Sequence, residues 1–301
     1  SDALSQSLKK IDFISSEYNF SGNKICVREN LKMHYLDEGK KTDECPILML
    51  HGNPTWSFYY RKVVSALKEE ARCIAPDHIG CGLSDKPKSS EFSYDLKSHS
   101  SNILSLLDHL QVERVKLVLH DWGGAIGLTA LKDQPERIDR IALLNTAAFP
   151  SKDVPWRILL CRFPLIGLFI VRALNGFAQP ATWMATSKGL SQQAKTGYLH
   201  PYQNWRDRIA IWKFVKDIPL EPNHPSLPLL RKTEESLSSL KELPSLACWG
   251  MNDFCFHQGY LNRWEEIWPS LEIHRFKKAG HYILEDSLED CLKVMKPFLL
   301  K

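Results

Sequence analysis

The sequence predicts an α/β fold in which helices flank a mostly parallel central sheet. Short apolar runs alternate regularly with helical patterns from residue 46 to residue 145. The run at 46–51 is apolar without interruption, which is typical of a strand buried on both faces of a parallel sheet. Two further strand-like runs, at 244–250 and 271–276, resume the pattern after about 75 residues that contain no convincing strand.

The remaining elements of this prediction follow from hydrophobic periodicity and from turn residues. Residues 11–38 indicate two or three antiparallel strands ahead of the parallel sheet. The predicted strands are 11–14, 24–27, 31–36, 46–51, 72–77, 115–119, 138–145, 244–250 and 271–276. The predicted helices outside the strand-free stretch are 57–70, 94–110, 125–131 and 284–300.

Composition excludes several classes of protein. The chain of 301 residues is 44% hydrophobic and 25% charged, as one large α/β domain or a domain with an insertion would be. Its net charge of +4 is spread without a Lys/Arg-rich block, so no nucleic-acid partner is predicted. No apolar run reaches the length of a membrane span.

Cysteine and histidine spacing predicts neither a disulfide framework nor a metal site. The eight cysteines form no C-x-x-C pair, and the eleven histidines show no H-x-H or H-E-x-x-H spacing. The N-terminal residues lack a signal-peptide core. We therefore expect free thiols, a cytoplasmic location, no metal and no cofactor.

The strand-free stretch predicts a helical cap of residues 148–225, inserted into a core domain of residues 1–147 and 226–301. Its large apolar side chains follow the carboxyl end of a strand, where open α/β sheets bind ligands. We interpret it as a lid over an apolar small-molecule pocket rather than as decoration. The apolar segment 158–172, broken by Arg162, Pro164 and Gly167, is predicted as a lid helix pair, with contact to a membrane surface or a partner enzyme as the alternative.

The stretch 118–125 combines a strand, a tight turn with two glycines and a helix. This is the form of a nucleophile elbow, in which a strained turn exposes a reactive side chain at the end of a strand. The exposed residue here is Asp121, and the first elbow position is Leu119 instead of glycine. The alternative is that Asp121 only caps the following helix.

Two more residues follow predicted strands. Asp253 comes just after the strand at 244–250, and His281 after the strand at 271–276. The order of carboxylate nucleophile, acid and histidine matches hydrolases whose histidine is a general base oriented by the acid. The residue that ends the strand at 138–145 is Asn145 and no carboxylate follows it, so Asp253 is the predicted acid.

Asn53 follows the strand at 46–51, and Trp122 follows Asp121. Their backbone N–H groups are the predicted donors of an oxyanion hole. Their side chains are predicted to point an amide and an indole N–H at the space in front of Asp121, which would make an anion-holding site. The alternatives are that Asn53 forms a turn before Pro54 and that Trp122 belongs to the core.

The motifs at 51–56, 77–87, 120–124 and 280–282 resemble those of the haloalkane dehalogenase family of α/β-hydrolases. With Asp253 as the acid and Asn53 as a halide ligand, the chain is similar to the third subfamily, which combines Asp-His-Asp with an Asn-Trp halide pair. Segments 144–150 and 217–220 also resemble the β-lactone decarboxylases of long-chain olefin synthesis.

This resemblance implies the α/β-hydrolase fold and cleavage of carbon–halogen bonds in apolar substrates, with an alcohol and a halide ion as products. Asp121 would form an alkyl ester, Asn53 and Trp122 would hold the halide, and water activated by His281 would hydrolyse the ester. The first alternative is β-lactone decarboxylation to an alkene and carbon dioxide. Others are an epoxide hydrolase using Tyr198 and Tyr202 as acids, and a non-catalytic receptor of a hydrophobic ligand.

Overall fold

The computed structural model describes residues 16–301 and confirms the predicted fold class, with an eight-stranded sheet in the order β1-β2-β4-β3-β5-β6-β7-β8. The first three strands in that order pair antiparallel, and all others pair parallel. The strands are β1 Asn23–Arg28, β2 Leu31–Gly39, β3 Ile47–Leu50, β4 Arg72–Pro76, β5 Val115–Asp121, β6 Ile138–Thr146, β7 Ser245–Gly250 and β8 Glu272–Phe276. The predicted strand at 11–14 lies outside the described residues.

Helices cover both faces of the sheet and form the segment between β6 and β7. They are α1 Arg61–Leu67, α2 Leu96–His109, α3 Trp122–Ala130, α4 Trp156–Arg162, α5 Pro164–Leu168, α6 Ala178–Met184, α7 Gln192–Leu199, α8 Ile209–Lys216, α9 Leu227–Ser236, α10 Gln258–Ile267, α11 Ile283–Asp286 and α12 Leu288–Leu299. Short 3₁₀ turns occur at Ser57–Tyr60, Pro135–Arg137, Arg206–Arg208 and Leu237–Leu240, and a π turn at Phe169–Ala173.

The sheet separates two apolar cores. On β3, Leu48 and Leu50 belong to the core beneath α2 and α3, whereas Ile47 and Met49 belong to the core beneath α1 and α12. This division follows from the strand period of two, which places successive side chains on opposite faces. Continuous apolar runs such as 47–50 therefore indicate burial on both faces, as predicted.

Several predicted boundaries differ from the structure. The helix predicted at 57–70 begins as a 3₁₀ turn and ends at Leu67. The helix predicted at 284–300 is two helices, α11 and α12, because the backbone of Ser287 leaves the helical region. The strand predicted at 115–119 continues to Asp121, so the carboxylate stands at the junction of β5 and α3.

Within the described residues, only helices and turns connect β6 to β7, in agreement with the lack of strand-like runs in this part of the sequence. This helical segment has a small apolar core of its own, which includes Ile158, Cys161 and Val171. Hydrogen bonds fix it to the sheet domain: the indole of Trp56 donates to the carbonyl of Gly197 at 3.1 Å.

Candidate active site

Asp121 lies at the tight turn where β5 ends and α3 begins. Its backbone has φ 54° and ψ −125°, a conformation that side chains other than glycine rarely adopt. The neighbouring chain must pass very close: a Cβ at Gly52 would lie 2.2 Å from the Cβ of Asp121, and one at Gly123 would lie 2.2 Å from the carbonyl oxygen of Leu50. The glycines therefore permit the strained turn that presents this carboxylate.

Two backbone N–H groups hold one oxygen of this carboxylate. The N–H of Asn53 donates to Oδ2 of Asp121 at 2.9 Å, and the N–H of Trp122 donates to the same oxygen at 2.6 Å. Trp122 begins α3, so the carboxylate also caps that helix. The two interpretations of Asp121, a helix cap and a residue held for chemistry, are compatible in this geometry.

His281 lies between two carboxylates. Its Nε2 is 2.9 Å from Oδ1 of Asp121, and its Nδ1 is 2.6 Å from Oδ2 of Asp253. All three side chains are buried. The structure thus brings Asp121 together with two residues that follow it by more than a hundred positions in sequence.

The charges of these groups depend on one another. Burial alone would lower the pKa of His281, but the negative charges of Asp253 and Asp121 and their hydrogen bonds raise it to about 10. Burial alone would raise the pKa of Asp121, but the hydrogen bond and the charge of His281 hold that pKa below its usual range. At neutral pH the imidazole is therefore protonated and the carboxylate is ionised.

Asp253 has fixed partners of its own. Asn145 donates from Nδ2 to Oδ2 of Asp253 at 3.1 Å and to the carbonyl of Gly250 at 2.9 Å, and the N–H of Cys255 donates to Oδ1 at 2.7 Å. Asn145 has a positive φ of 45°, which Asn tolerates better than most residues. The contact between Asn145 and Asp253 was not predicted from the sequence; an Asn at the end of a buried strand is the signal that could have indicated it.

The Asn53 side chain is placed differently from the expectation. Its Nδ2 donates to the carbonyl of Ile211 in α8 at 3.1 Å, so only one of its two N–H bonds is left for the space in front of Asp121. Its buried Oδ1 has no partner among residues 16–301. The ring of Trp122 packs against Phe214 with centroids 5.4 Å apart.

A second histidine lies behind the first. His120 is buried, stacks on Tyr59 with centroids 4.1 Å apart, and contacts the carbonyl oxygen of His281 through Nε2 at 2.8 Å. Burial and the nearby positive charge of His281 lower the pKa of His120 to about 3. This imidazole is therefore neutral and fixes the backbone of His281 by donating from Nε2.

Two apolar cavities meet at Asp121 and Asn53. The smaller, of about 110 Å³, is also lined by Trp122, and the larger, of about 340 Å³, by His281. The smaller is lined by residues of α3 and α9 and of the chain that follows β6, such as Ala125, Ala147, Phe149, Val154, Ile218 and Leu230. The larger extends under α4 and α6 and is lined by residues such as Leu160, Ile170, Pro180, Ala181, Trp183 and Met184. Ile158, Phe177 and Cys255 border both cavities.

Comparisons with known proteins agree with this architecture. A family model described as the alpha/beta hydrolase fold matches residues 46–288. Among solved structures, haloalkane dehalogenase DatA from Agrobacterium tumefaciens superposes with a TM-score of 0.83 at 23% identity, covering 95% of this chain and 98% of that chain. At that identity the likeness concerns the fold.

Curated relatives are more similar in sequence. A cis-3-alkyl-4-alkyloxetan-2-one decarboxylase from Shewanella oneidensis is 42% identical, covering 90% of this chain and 86% of the relative. A protein of the same name from Xanthomonas campestris is 36% identical, with coverage of 94% and 97%. A haloalkane dehalogenase from Mycobacterium tuberculosis is 30% identical, with coverage of 85% and 87%.

Proposed function

Because this chain belongs to the α/β-hydrolase family, in the group that includes haloalkane dehalogenases and alkyl-alkyloxetanone decarboxylases, we propose that it decarboxylates cis-3,4-dialkyl β-lactones through Asp121. The two relatives at 42% and 36% identity carry the decarboxylase name, and the dehalogenase is 30% identical. Carbon–halogen cleavage, which the motifs favoured first, becomes the second candidate.

The observation that carries this proposal is the pair of cavities that meet at Asp121. A cis-3,4-dialkyl β-lactone has two alkyl chains on adjacent ring carbons, and both chains leave the ring on the same side. With the ring at Asp121, one chain enters each cavity, where apolar side chains cover it. A simple haloalkane would need only one of the two.

The chemistry of such a reaction needs no external reagent. Oδ1 of Asp121 attacks C4 of the lactone from the side opposite the ring oxygen, so a new C–O bond forms and the C4–O bond breaks. The ring opens to an alkyl ester of Asp121 with a free carboxylate on C3. The C3–carboxylate bond then breaks, its electron pair forms the C3–C4 double bond, and the ester oxygen leaves as the carboxylate of Asp121.

The stereochemistry follows from the first step. Inversion at C4 places the new ester bond antiperiplanar to the carboxylate on C3, which is the arrangement that fragmentation needs. The two alkyl chains remain on one side, so a cis lactone gives a cis alkene and carbon dioxide. No proton is gained or lost, and no water is consumed.

The surrounding hydrogen-bond donors stabilise two carboxylates, that of Asp121 and the one that ring opening releases on C3. The N–H groups of Asn53 and Trp122 keep Oδ2 of Asp121 in place throughout. The carboxylate released from the ring accepts hydrogen bonds from the indole N–H of Trp122 and from the second amide N–H of Asn53. Protonated His281 supplies a positive charge beside Oδ1.

One observation favours dehalogenation as the second function. His281 is oriented by Asp253 and adjoins Asp121, so it is placed to activate water against an ester of Asp121, a step that decarboxylation does not use. Ester formation removes the negative charge of Asp121, so the pKa of His281 falls. The imidazole then loses its proton more readily, as a general base must.

The test gives the enzyme cis-3,4-dialkyl oxetan-2-ones and, in parallel, a panel of primary haloalkanes. We expect cis alkene and carbon dioxide from the lactone, with the trans lactone as a poorer substrate because one of its chains points away from its cavity. Halide release without alkene would overturn the proposal in favour of dehalogenation. Binding of lactone without any product would support a receptor.

A further inference from the structure

The outer side of the helical segment is apolar, although the outer side of a surface helix is ordinarily polar. Of eleven large apolar side chains exposed within residues 16–301, ten lie between residues 156 and 205. Seven of them lie on α4, on α5, between these two helices or at the start of the π turn, and we call their surface the apolar cap face: Trp156, Leu159, Leu160, Phe163, Leu165, Ile166 and Phe169.

The exposure on α4 is systematic. Trp156, Leu159 and Leu160 recur at helical spacing and are exposed, whereas Ile158 and Cys161 are buried. The helix is therefore apolar on two sides, and only one side is covered by the protein itself. A contiguous exposed apolar surface of this kind marks an interaction site.

The segment that carries this face is basic, although Arg162 is paired with Glu221 from outside it. Residues 154–206 contain six Lys and Arg and no Asp or Glu, so the segment carries +6, whereas the rest of the chain carries −2 of a total of +4. Arg157, Lys188 and Arg206 are exposed, and the guanidinium of Arg157 lies 4.8 Å from the ring centre of Trp156. Exposed Trp and aliphatic side chains bordered by cations match the interfacial layer of an anionic bilayer.

The apolar cap face also borders the larger cavity. Trp156, Leu160, Trp183 and Phe254 are exposed at the surface and line the cavity that reaches Asp121. An apolar molecule that enters between these side chains would reach the carboxylate without crossing open water. Among residues 16–301, no helix is long and apolar enough to cross a membrane, so contact through this segment would be made from one side of the bilayer.

From these observations we propose that the apolar cap face docks on the surface of an anionic lipid bilayer, with the mouth of the larger cavity facing the acyl chains. Apolar side chains enter the interface, and the basic side chains around them contact lipid headgroups. The occupant is a lipid surface because a protein partner would need acidic groups to match the cations, whereas anionic headgroups supply them at any orientation.

Vesicle flotation tests this without any substrate, so its result is independent of the proposed activity. The full chain is mixed with vesicles of phosphatidylcholine alone or of phosphatidylcholine with phosphatidylglycerol. We expect flotation with the anionic vesicles, weaker flotation with the neutral ones, and quenching of tryptophan fluorescence by lipids brominated in the acyl chains.

Two variants give the test its controls. Leu165, Ile166 and Phe169 do not line either cavity, so L165S/I166S/F169S should lower the partition coefficient roughly tenfold or more and leave turnover of a short-chain substrate unchanged. K188E/R206E should weaken binding about tenfold on anionic vesicles only. The matched control K97E/K241E makes the same charge change on exposed residues of the sheet domain and should bind as the wild type does.

Three results would overturn the proposal. The first is no flotation with either vesicle, and the second is equal flotation of the wild type and L165S/I166S/F169S. The third combines two observations: the wild type does not float, and sedimentation velocity shows it as a dimer while L165S/I166S/F169S is a monomer. That result would mean that the apolar cap face binds a second copy of the chain.

Discussion

Nε2 of His281 lies 2.9 Å from Oδ1 of Asp121, on the opposite side of the carboxylate from the two backbone donors that hold Oδ2. The two oxygens of Asp121 are therefore not equivalent. Oδ2 accepts hydrogen bonds from the N–H groups of Asn53 and Trp122, and Oδ1 is the oxygen available to attack a substrate. The same contact places His281 beside any ester that forms at Oδ1.

Replacing His281 separates the two steps of a hydrolytic reaction. His281→Ala keeps the attacking carboxylate but removes the base that activates water, so a primary bromoalkane should leave a stable ester on Asp121. Mass spectrometry should find the added alkyl mass on the peptide that contains Asp121. Asp121→Asn is the control and should gain no mass there, and alkylation of both variants at other residues only would contradict the role of Asp121.

Asn145 should act as a positioning residue through Asp253. Asn145→Ala removes a buried hydrogen bond to an ionised carboxylate, so we expect kcat to fall roughly 10- to 100-fold in a reaction that uses His281 as a base. Because a less well-held Asp253 raises the pKa of His281 less strongly, the pH profile should also move. Asn252→Ala, at an exposed position next to Asp253, is the matched control; equal losses in the two variants would refute this role.

The two cavities should accept one alkyl chain each. Val154 lines only the smaller and Ala181 only the larger, and both are half-buried. Val154→Trp should slow lactones with a long chain at one ring carbon, and Ala181→Trp should slow those with a long chain at the other. Rates for two unsymmetrical lactones, measured with both variants, test this; parallel losses for both lactones would indicate that the chains share one cavity.

The buried His281 should make stability depend on pH above neutrality. Its pKa is about 10 in the fold and near 6.5 when unfolded, so its protonation stabilises the fold fully below pH 6.5, and this contribution is lost as the pH rises to 10. The contribution is on the order of a few kcal/mol. Urea unfolding of wild type and His281→Gln at several pH values should show a difference that shrinks towards pH 10. A constant difference would mean that His281 is neutral in the fold.

Local sequence patterns were sufficient to predict most of the strands and helices of the sheet region. The apolar run at 47–50 identifies a buried strand by itself, and the order of Asp121, Asp253 and His281 after predicted strands suggests that they converge, since parallel strands end at one edge of the sheet. Contacts with residues far away in the chain were not predictable. The side-chain amide of Asn53 donates a hydrogen bond to the carbonyl of Ile211, whose position depends on how the helical segment packs. Likewise, α4 is apolar on both sides, so its periodicity does not show which side faces the pocket.

The most direct test of the central claim is turnover of a cis-3,4-dialkyl β-lactone in water labelled with oxygen-18. We predict cis alkene and carbon dioxide from the wild type, no label in the peptide that contains Asp121, and no alkene from Asp121→Asn. A β-hydroxy acid as product, with the label in the carboxylate of Asp121, would show hydrolysis instead of fragmentation. Alkene formation by Asp121→Asn at the wild-type rate would contradict the account altogether.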